Sequence, residues 1–308
     1  MCLFSRGFMN TIKSLRLGFP FHLLFPAALA ALLIGYGVAG PLALTIATVT
    51  SIVGMTAIER WRPFRADWNT VAGTELGTDL AYIALAWVPD RLTRIAVEAA
   101  GVALLGAAVA AGLSSSLLSP TAWALGLSAF VVADAAKYAI HRASHKLPWL
   151  WRFHFAHHQP SRLTARNALR LHPVNMVYNS AIDTFVAFAF GVSPEIAAVF
   201  ATLRATVAVV THANIDLESQ VQWLFNAPSY HRLHHAIDIE TANHNYASTL
   251  LVWDRLFNTL LRGKAPDVVG ISTPHRQALS YRGQLLQAVC TDRLDTTCLL
   301  ARWPQLTR

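Results

Sequence analysis

The sequence predicts an all-α protein, a polytopic membrane helix bundle with a histidine-rich helical cap on its cytoplasmic face. Three observations predict it. Only 14% of the 308 residues are charged and 54% are hydrophobic, whereas an ordinary soluble domain carries roughly 25% charged residues. Residues 17–58 and 99–133 contain no Asp, Glu, Lys or Arg, and a membrane span needs only about 20 apolar residues. Nine histidines gather in short sets between positions 141 and 235.

Each element follows from local signals. The first apolar run is long enough for a helical hairpin and divides at Gly35, Gly37, Gly40 and Pro41, residues that punctuate helices. This predicts helices over Phe21–Ile34 and Leu42–Ile58. Leu76–Val88 is shorter and holds Asp79, so a re-entrant or interfacial segment is expected. In the second run SSSLLSP (114–120) separates a helix over Ile95–Leu113 from one over Thr121–Ile140. A third hairpin is expected over Met176–Phe190, with a turn at GVSP (191–194) and a return over Glu195–Val210. Its Asn179, Asp183 and Arg204 place it among other helices or at the interface rather than against lipid. Three regions result: N-terminal membrane hairpins over 1–120, a histidine-bearing unit over 121–263, and a polar tail over 264–308.

Basic residues set the expected orientation. Arg6, Lys13 and Arg16 precede the first helix, Arg60, Arg62 and Arg65 follow the second, Arg91 and Arg94 precede the next, and Arg142, Lys146 and Arg152 follow the fourth. The turns at 35–41 and 114–120 have none. The positive-inside rule puts all those basic ends in the cytoplasm. The net charge of +8 and pI near 9.8 are then accounted for by topology and anionic head groups, and a nucleic-acid partner loses its support. The first 16 residues look like a signal-peptide n-region, but no small-residue cleavage site precedes a polar mature start, so a retained anchor is expected. Cys2, Cys290 and Cys298 are too few and too scattered for a disulfide framework or a thiolate metal site.

The histidines fall into four sets: His141 and His145; His154, His157 and His158; His212; and His231, His234 and His235. Helical residues three or four apart share a face, so HRASH, HFAHH and HRLHH can each aim several imidazoles one way. His141 begins where the fourth helix ends and His212 sits where the third hairpin returns, so all four sets belong to one membrane face. Lone histidines such as His22 and His275 read as ordinary hydrogen-bonded side chains. Neutral imidazole is the commonest metal ligand, and a tetrahedral zinc takes only four ligands, so nine imidazoles fit two ions. The HExxH motif of zinc peptidases and the repeated Glu-x-x-His of soluble di-iron bundles are missing. Imidazole suits zinc, copper, iron and nickel alike, which leaves the metal open on chemical grounds.

HRASH, LPWLWRFHFAHH (147–158), LRLHP (169–173), THANID (211–216), HRLHH and NYASTLLVWDRLFNT (245–259) resemble, in order and spacing, the fatty acid hydroxylase and sterol desaturase superfamily over roughly residues 121–262. The resemblance implies an integral membrane oxidoreductase that hydroxylates or desaturates a lipid with dioxygen. It also implies a di-iron centre held by the nine histidines above, zinc being the alternative metal, and a separate electron-donor protein as partner. Family members commonly carry Gly where Ala247 and Asn258 stand here, so backbone turns are expected at both. A metal-dependent membrane lipid hydrolase and a non-catalytic membrane metal-binding protein are the other classes these residues allow.

Supporting residues follow. Asp134 lies two turns before His141, about 10.5 Å along the axis, and is expected either to orient a histidine from another helix or to pair with Lys137. His172 is expected beside the metal site, or as a tenth ligand; His244 carries weaker expectations. Asp254 and Arg255 should tie the C-terminal segment to the cap through a salt bridge and a helix start, with Trp253 and Phe257 packing. Trp149 and Trp151 fit an interfacial aromatic belt.

Overall fold

Proline opens most of the helices, because the first turn of a helix has no use for the N–H that proline lacks. A computed structural model describes residues 19–70, 73–105, 119–216, 223–271 and 280–289. Its longer helices are α1 (Phe19–Gly35), α2 (Gly40–Trp61), α3 (Gly73–Leu105), α4 (Pro120–Lys146), α5 (Pro148–His158), α6 (Pro173–Ala189) and α7 (Pro194–His212). The short α8 (Pro228–His234), α9 (Ile239–Ala242) and α10 (Val252–Leu256) follow, and α11 is Tyr281–Val289. Proline occupies the first turn of α2, α4, α5, α6, α7 and α8. The only β structure among the described residues is two isolated bridges, Phe225 with Leu250 and Ala236 with Val269.

Three helices, α2, α4 and α7, are long and apolar enough to cross a membrane. Helix α7 is central: α1, α2 and α4 pack on it, while α6 bridges α3 and α4. Helix α4 comes close to α7 at Gly126, where an added Cβ would stand 2.5 Å from Ile196 Cγ2 and 2.7 Å from Phe200 Cε2. A larger residue would push α4 off α7. Leu42, Val53, Leu80, Leu92 and Leu127 remain more than half exposed on the outer surface, as a lipid-facing belt requires.

The structure corrects several expectations. Leu76–Val88 is no separate re-entrant piece, because it runs without interruption through Pro89 into the segment expected to start at Ile95, all as α3. Arg91 and Arg94 therefore lie inside a helix rather than ahead of one, with Arg94 bonded to Asp90 one turn earlier at 2.9 Å. The end of the expected Ile95–Leu113 helix, most of the 114–120 turn, the basic N-terminal residues, the cysteines and His275 lie outside the described residues.

Candidate metal centre

The short helices beyond the membrane spans exist to bring imidazoles together. Helix α4 supplies His141 and His145 in its last turns, α7 ends on His212, and α5 carries His154, His157 and His158. Helix α8 carries His231 and His234, with His235 as its C-cap. The nine rings converge as two groups whose ligand atoms lie within 4.8 Å of one another: His141, His145, His154, His158 and His234, and separately His157, His212, His231 and His235. Their residue spacing explains the division. Positions 154 and 158 of α5 face one group and 157 the other, while on the α8 turn His234 faces the first and His231 and His235 the second. The stacked His158 and His235 rings, 4.2 Å apart, join the two groups.

Hydrogen bonds fix the tautomers. His141 Nδ1 donates to the Tyr246 carbonyl at 2.6 Å, His234 Nδ1 to the His244 carbonyl at 2.8 Å, His212 Nδ1 to the Ala208 carbonyl at 2.7 Å, and His154 Nδ1 meets Asn175 Oδ1 at 2.9 Å. A ring that donates through Nδ1 offers the lone pair of Nε2 inward. The two Nε2 atoms of His141 and His234 then face each other at 3.0 Å. Two lone pairs at that separation repel unless a cation lies between them. In the second group the Nε2 of His212 lies 3.3 Å from that of His157 and 3.1 Å from that of His231, and His231 lies 3.1 Å from His235. Metal–imidazole bonds of about 2.0–2.1 Å give neighbouring ligand nitrogens separations of about 2.9–3.4 Å, so these spacings match an inner coordination sphere.

Further signs point the same way. His154 Nε2 and both ring nitrogens of His158 are buried with no hydrogen-bond partner among the described residues; an unmade bond of this kind costs about 1–3 kcal/mol. Burial also holds His154, His157, His158, His231, His234 and His235 well below the usual imidazole pKa, helped in each case by neighbouring imidazoles. Neutral rings are the metal-binding form. The donor set therefore fits two soft-to-borderline divalent ions.

Other expected residues do different work. Asp134 touches no histidine and does not pair with Lys137. Its Oδ1 accepts from Arg204 at 2.7 Å, and its Oδ2 accepts from the Leu250 N–H and the Trp253 indole, each at 3.0 Å. It pins the segment before α10 against α4 because three donors converge on one buried carboxylate. Lys137 binds Asp183 instead, at 2.5 Å. His172 is no tenth ligand: its Nδ1 accepts from the Val174 N–H at 3.1 Å as the N-cap of α6, and its ring packs on Phe153. His244 contributes only its carbonyl. Asp254 forms no salt bridge among the described residues; it accepts from the Tyr246 and Ala247 N–H groups at 2.9 and 2.8 Å and from Thr259 Oγ1 at 2.6 Å, while Arg255 donates to the Trp223 carbonyl. Of the two expected turns, Asn258 has φ +53, whereas the second left-handed residue is Asn245 at φ +56 rather than Ala247. Trp149 is exposed, but Trp151 is 2% exposed and walls the site, 5.3 Å from the His145 ring and 5.4 Å from that of His158. It therefore leaves the expected aromatic belt.

Asn175, Tyr246 and the His244 carbonyl were not singled out by sequence reasoning. Asn175, three positions after His172 in LHPVN, is the only one with a side-chain signal. Backbone acceptors leave none.

A cavity of about 310 Å³ opens from His141, His154, His157, His212 and His231 into the bundle between α2, α3, α4, α6 and α7. Its walls are mostly apolar, with Leu44, Val49, Ile52, Ile83, Trp87 and Ala205 among them.

Comparison with known proteins adds to this geometry. Residues 126–259 match the fatty acid hydroxylase family model. The chain is 26% identical over 243 residues to an ornithine lipid hydroxylase from Rhizobium tropici, covering 78% of this chain and 73% of that protein. It is 29% identical over 157 residues to the alkylglycerol monooxygenase of Homo sapiens, covering 51% of this chain and 34% of that one. It is 28% identical over 138 residues to a very-long-chain aldehyde decarbonylase of Oryza sativa, covering 43% of this chain and 53% of that one. The chain thus spans only about a third of the human relative. No solved structure matches.

Proposed function

The chain belongs to the fatty acid hydroxylase and sterol desaturase superfamily through residues 126–259, and from that premise we propose that it is a membrane-bound oxygenase that hydroxylates or desaturates a lipid with dioxygen. The observation that carries the reading is the pair of buried imidazole groups, five rings and four, opening on a largely apolar cavity. His141, His145, His154, His158 and His234 hold one ion, and His157, His212, His231 and His235 the other. Iron is the proposed metal, since family membership favours a redox-active pair. Such a pair supplies dioxygen activation and hydrogen removal from an unactivated carbon, which no side chain can perform.

The residues of the chain do the rest. Asn175 and the Tyr246, His244 and Ala208 carbonyls hold four imidazoles in one tautomer. Trp151 excludes water from the outer side of the five-ring group. The apolar walls orient the substrate and keep bulk water from the reacting carbon. We place the histidine end at the cytoplasmic surface, on the basic residues that flank α2, α4 and α5 there, and assign the reducing equivalents to a separate donor protein.

The test is metal analysis of the detergent-purified full chain, followed by dioxygen uptake with a reductant and lipid. About two iron atoms per chain and lipid-dependent uptake are expected. A protein that retains zinc, consumes no dioxygen and releases a hydrolysed lipid overturns the reading in favour of a hydrolase.

A further inference from the structure

The cavity is not uniformly apolar. Asp90 and Arg94 of α3, Lys137 of α4, Asp183 of α6 and Arg204 of α7 all line it. They form linked pairs: Arg94 with Asp90 at 2.9 Å, Lys137 with Asp183 at 2.5 Å, and Arg204 with Asp183 at 3.5 Å and with Asp134 at 2.7 Å. Ser180 also donates to Asp90 at 2.5 Å. Three cations face three carboxylates, so the cluster is electrically balanced. Its distance from the imidazoles follows from helix geometry. Lys137 precedes His141 by one turn, about 6 Å along the axis, and Arg204 precedes His212 by about 12 Å.

The mouth has the opposite character. Helices α2 and α3 face each other across the cavity without packing closely. At this gap Thr45, Val49 and Trp87 are exposed lining residues, a surface compatible with hydrocarbon.

We propose that the Lys137–Asp183 pair and its neighbours form a head-group subsite: a lipid inserts its net-neutral, hydrogen-bonding polar part between α2 and α3, and its chains stay in the bilayer. Oxidation then falls on the head group or on the carbons next to it. This deepens the oxygenase reading and rests on it. The physical argument has two parts. An alkyl chain laid against the cluster strips water from charges and returns no hydrogen bonds. A ligand with net charge leaves one charge uncompensated in a low-dielectric site, whereas a neutral group offering both donors and acceptors satisfies cation and carboxylate together. Zwitterionic amino-acid heads and glyceryl hydroxyls share that chemistry.

The test uses the full chain in phosphatidylglycerol nanodiscs, whose own lipid is excluded by its net charge. Four radiolabelled probes with the same chain length separate the cases: Nε-dodecanoyl-lysine, 1-monododecanoylglycerol, dodecanoate and dodecane. At least one of the first two should bind about tenfold or more tighter than both of the others, as hydrogen bonds to charged groups imply. The double variant Lys137→Met/Asp183→Leu, which removes both charges of the pair, should abolish that preference and leave dodecane binding unchanged. Equal binding of all four, tighter binding of dodecane or dodecanoate, no saturable binding of either head-group probe, or a preference that survives the double variant overturns the subsite. The wild-type comparison stands even if the variant fails to fold. Iron content and dioxygen uptake of the same samples report separately on the oxygenase reading.

Discussion

The two imidazole groups are similar in size and differ in how they are held. In the five-ring group, His141, His154 and His234 are each braced through Nδ1 by an acceptor outside the group. In the four-ring group only His212 is braced in this way; His157, His231 and His235 have buried Nδ1 atoms without a partner among the described residues and meet other rings through Nε2. An outer acceptor fixes ring orientation and raises ligand basicity. The protein scaffold therefore preorganises the first group, while the geometry of the second would depend more on a bound ion.

The largest expected effect comes from removing a ligand. His234→Ala should reduce lipid-dependent turnover by about 100-fold or more, beyond the 10–100-fold typical of losing an outer partner, and metal analysis should show loss from the five-ring group with helical circular dichroism retained. His157→Ala should do the same to the four-ring group. Equal retention of both metals in either variant breaks the assignment of rings to ions.

Next is the contrast itself. Stepwise chelation should release one ion before the other, and in the His157→Ala protein the early phase should vanish while the late one remains. Asn175→Leu removes the acceptor for His154 and should weaken the late-released ion about 10–100-fold without disturbing the early one. If Asn175→Leu instead accelerates the early phase, the brace does not act where the geometry puts it.

The pH dependence is expected to be intermediate in size. Burial lowers the imidazole pKa values of His154, His157, His158, His231, His234 and His235 in the folded state, against about 6.5 unfolded. Below 6.5 the unfolded chain binds more protons than the folded one, so stability falls with decreasing pH. The metal-free protein should lose thermal stability between pH 7.5 and 5.5, and the loss should level off only where the folded-state rings themselves protonate. A flat profile would show that these rings are not buried neutral. The smallest effect is expected at His172. Its replacement by Ala removes an N-cap, which costs about 0.5–2 kcal/mol, and should leave metal content unchanged.

The sequence marked both the ring identities and most of the helix starts, but it misread their neighbours in instructive ways. Asp134 lay at the right helical phase to look toward His141, yet its partners, Arg204, Leu250 and Trp253, come from 70 or more residues away in segments whose return path no local pattern records. His172 looked like a ligand from its sequence neighbourhood, and its cap role was equally legible in the following Pro173. On sequence alone helix α3 splits into an Asp79-bearing re-entrant or interfacial segment over Leu76–Val88 and a helix beginning at Ile95, because a buried charge is out of place in a short apolar segment. Here Asp79 is held by Arg170 and Asp90 by Arg94 and Ser180, so the helix continues.

By itself the sequence determined the solvent, the helices and the inventory of nitrogen donors, because charge content, apolar run length and three- or four-residue spacing are local properties. The tertiary structure alone decided that the nine rings divide five and four, which ring nitrogen faces inward, and that a balanced set of charges lies one turn deeper. Those outcomes depend on backbone carbonyls and on helices meeting at close range, and neither has a signature in the order of side chains along the chain.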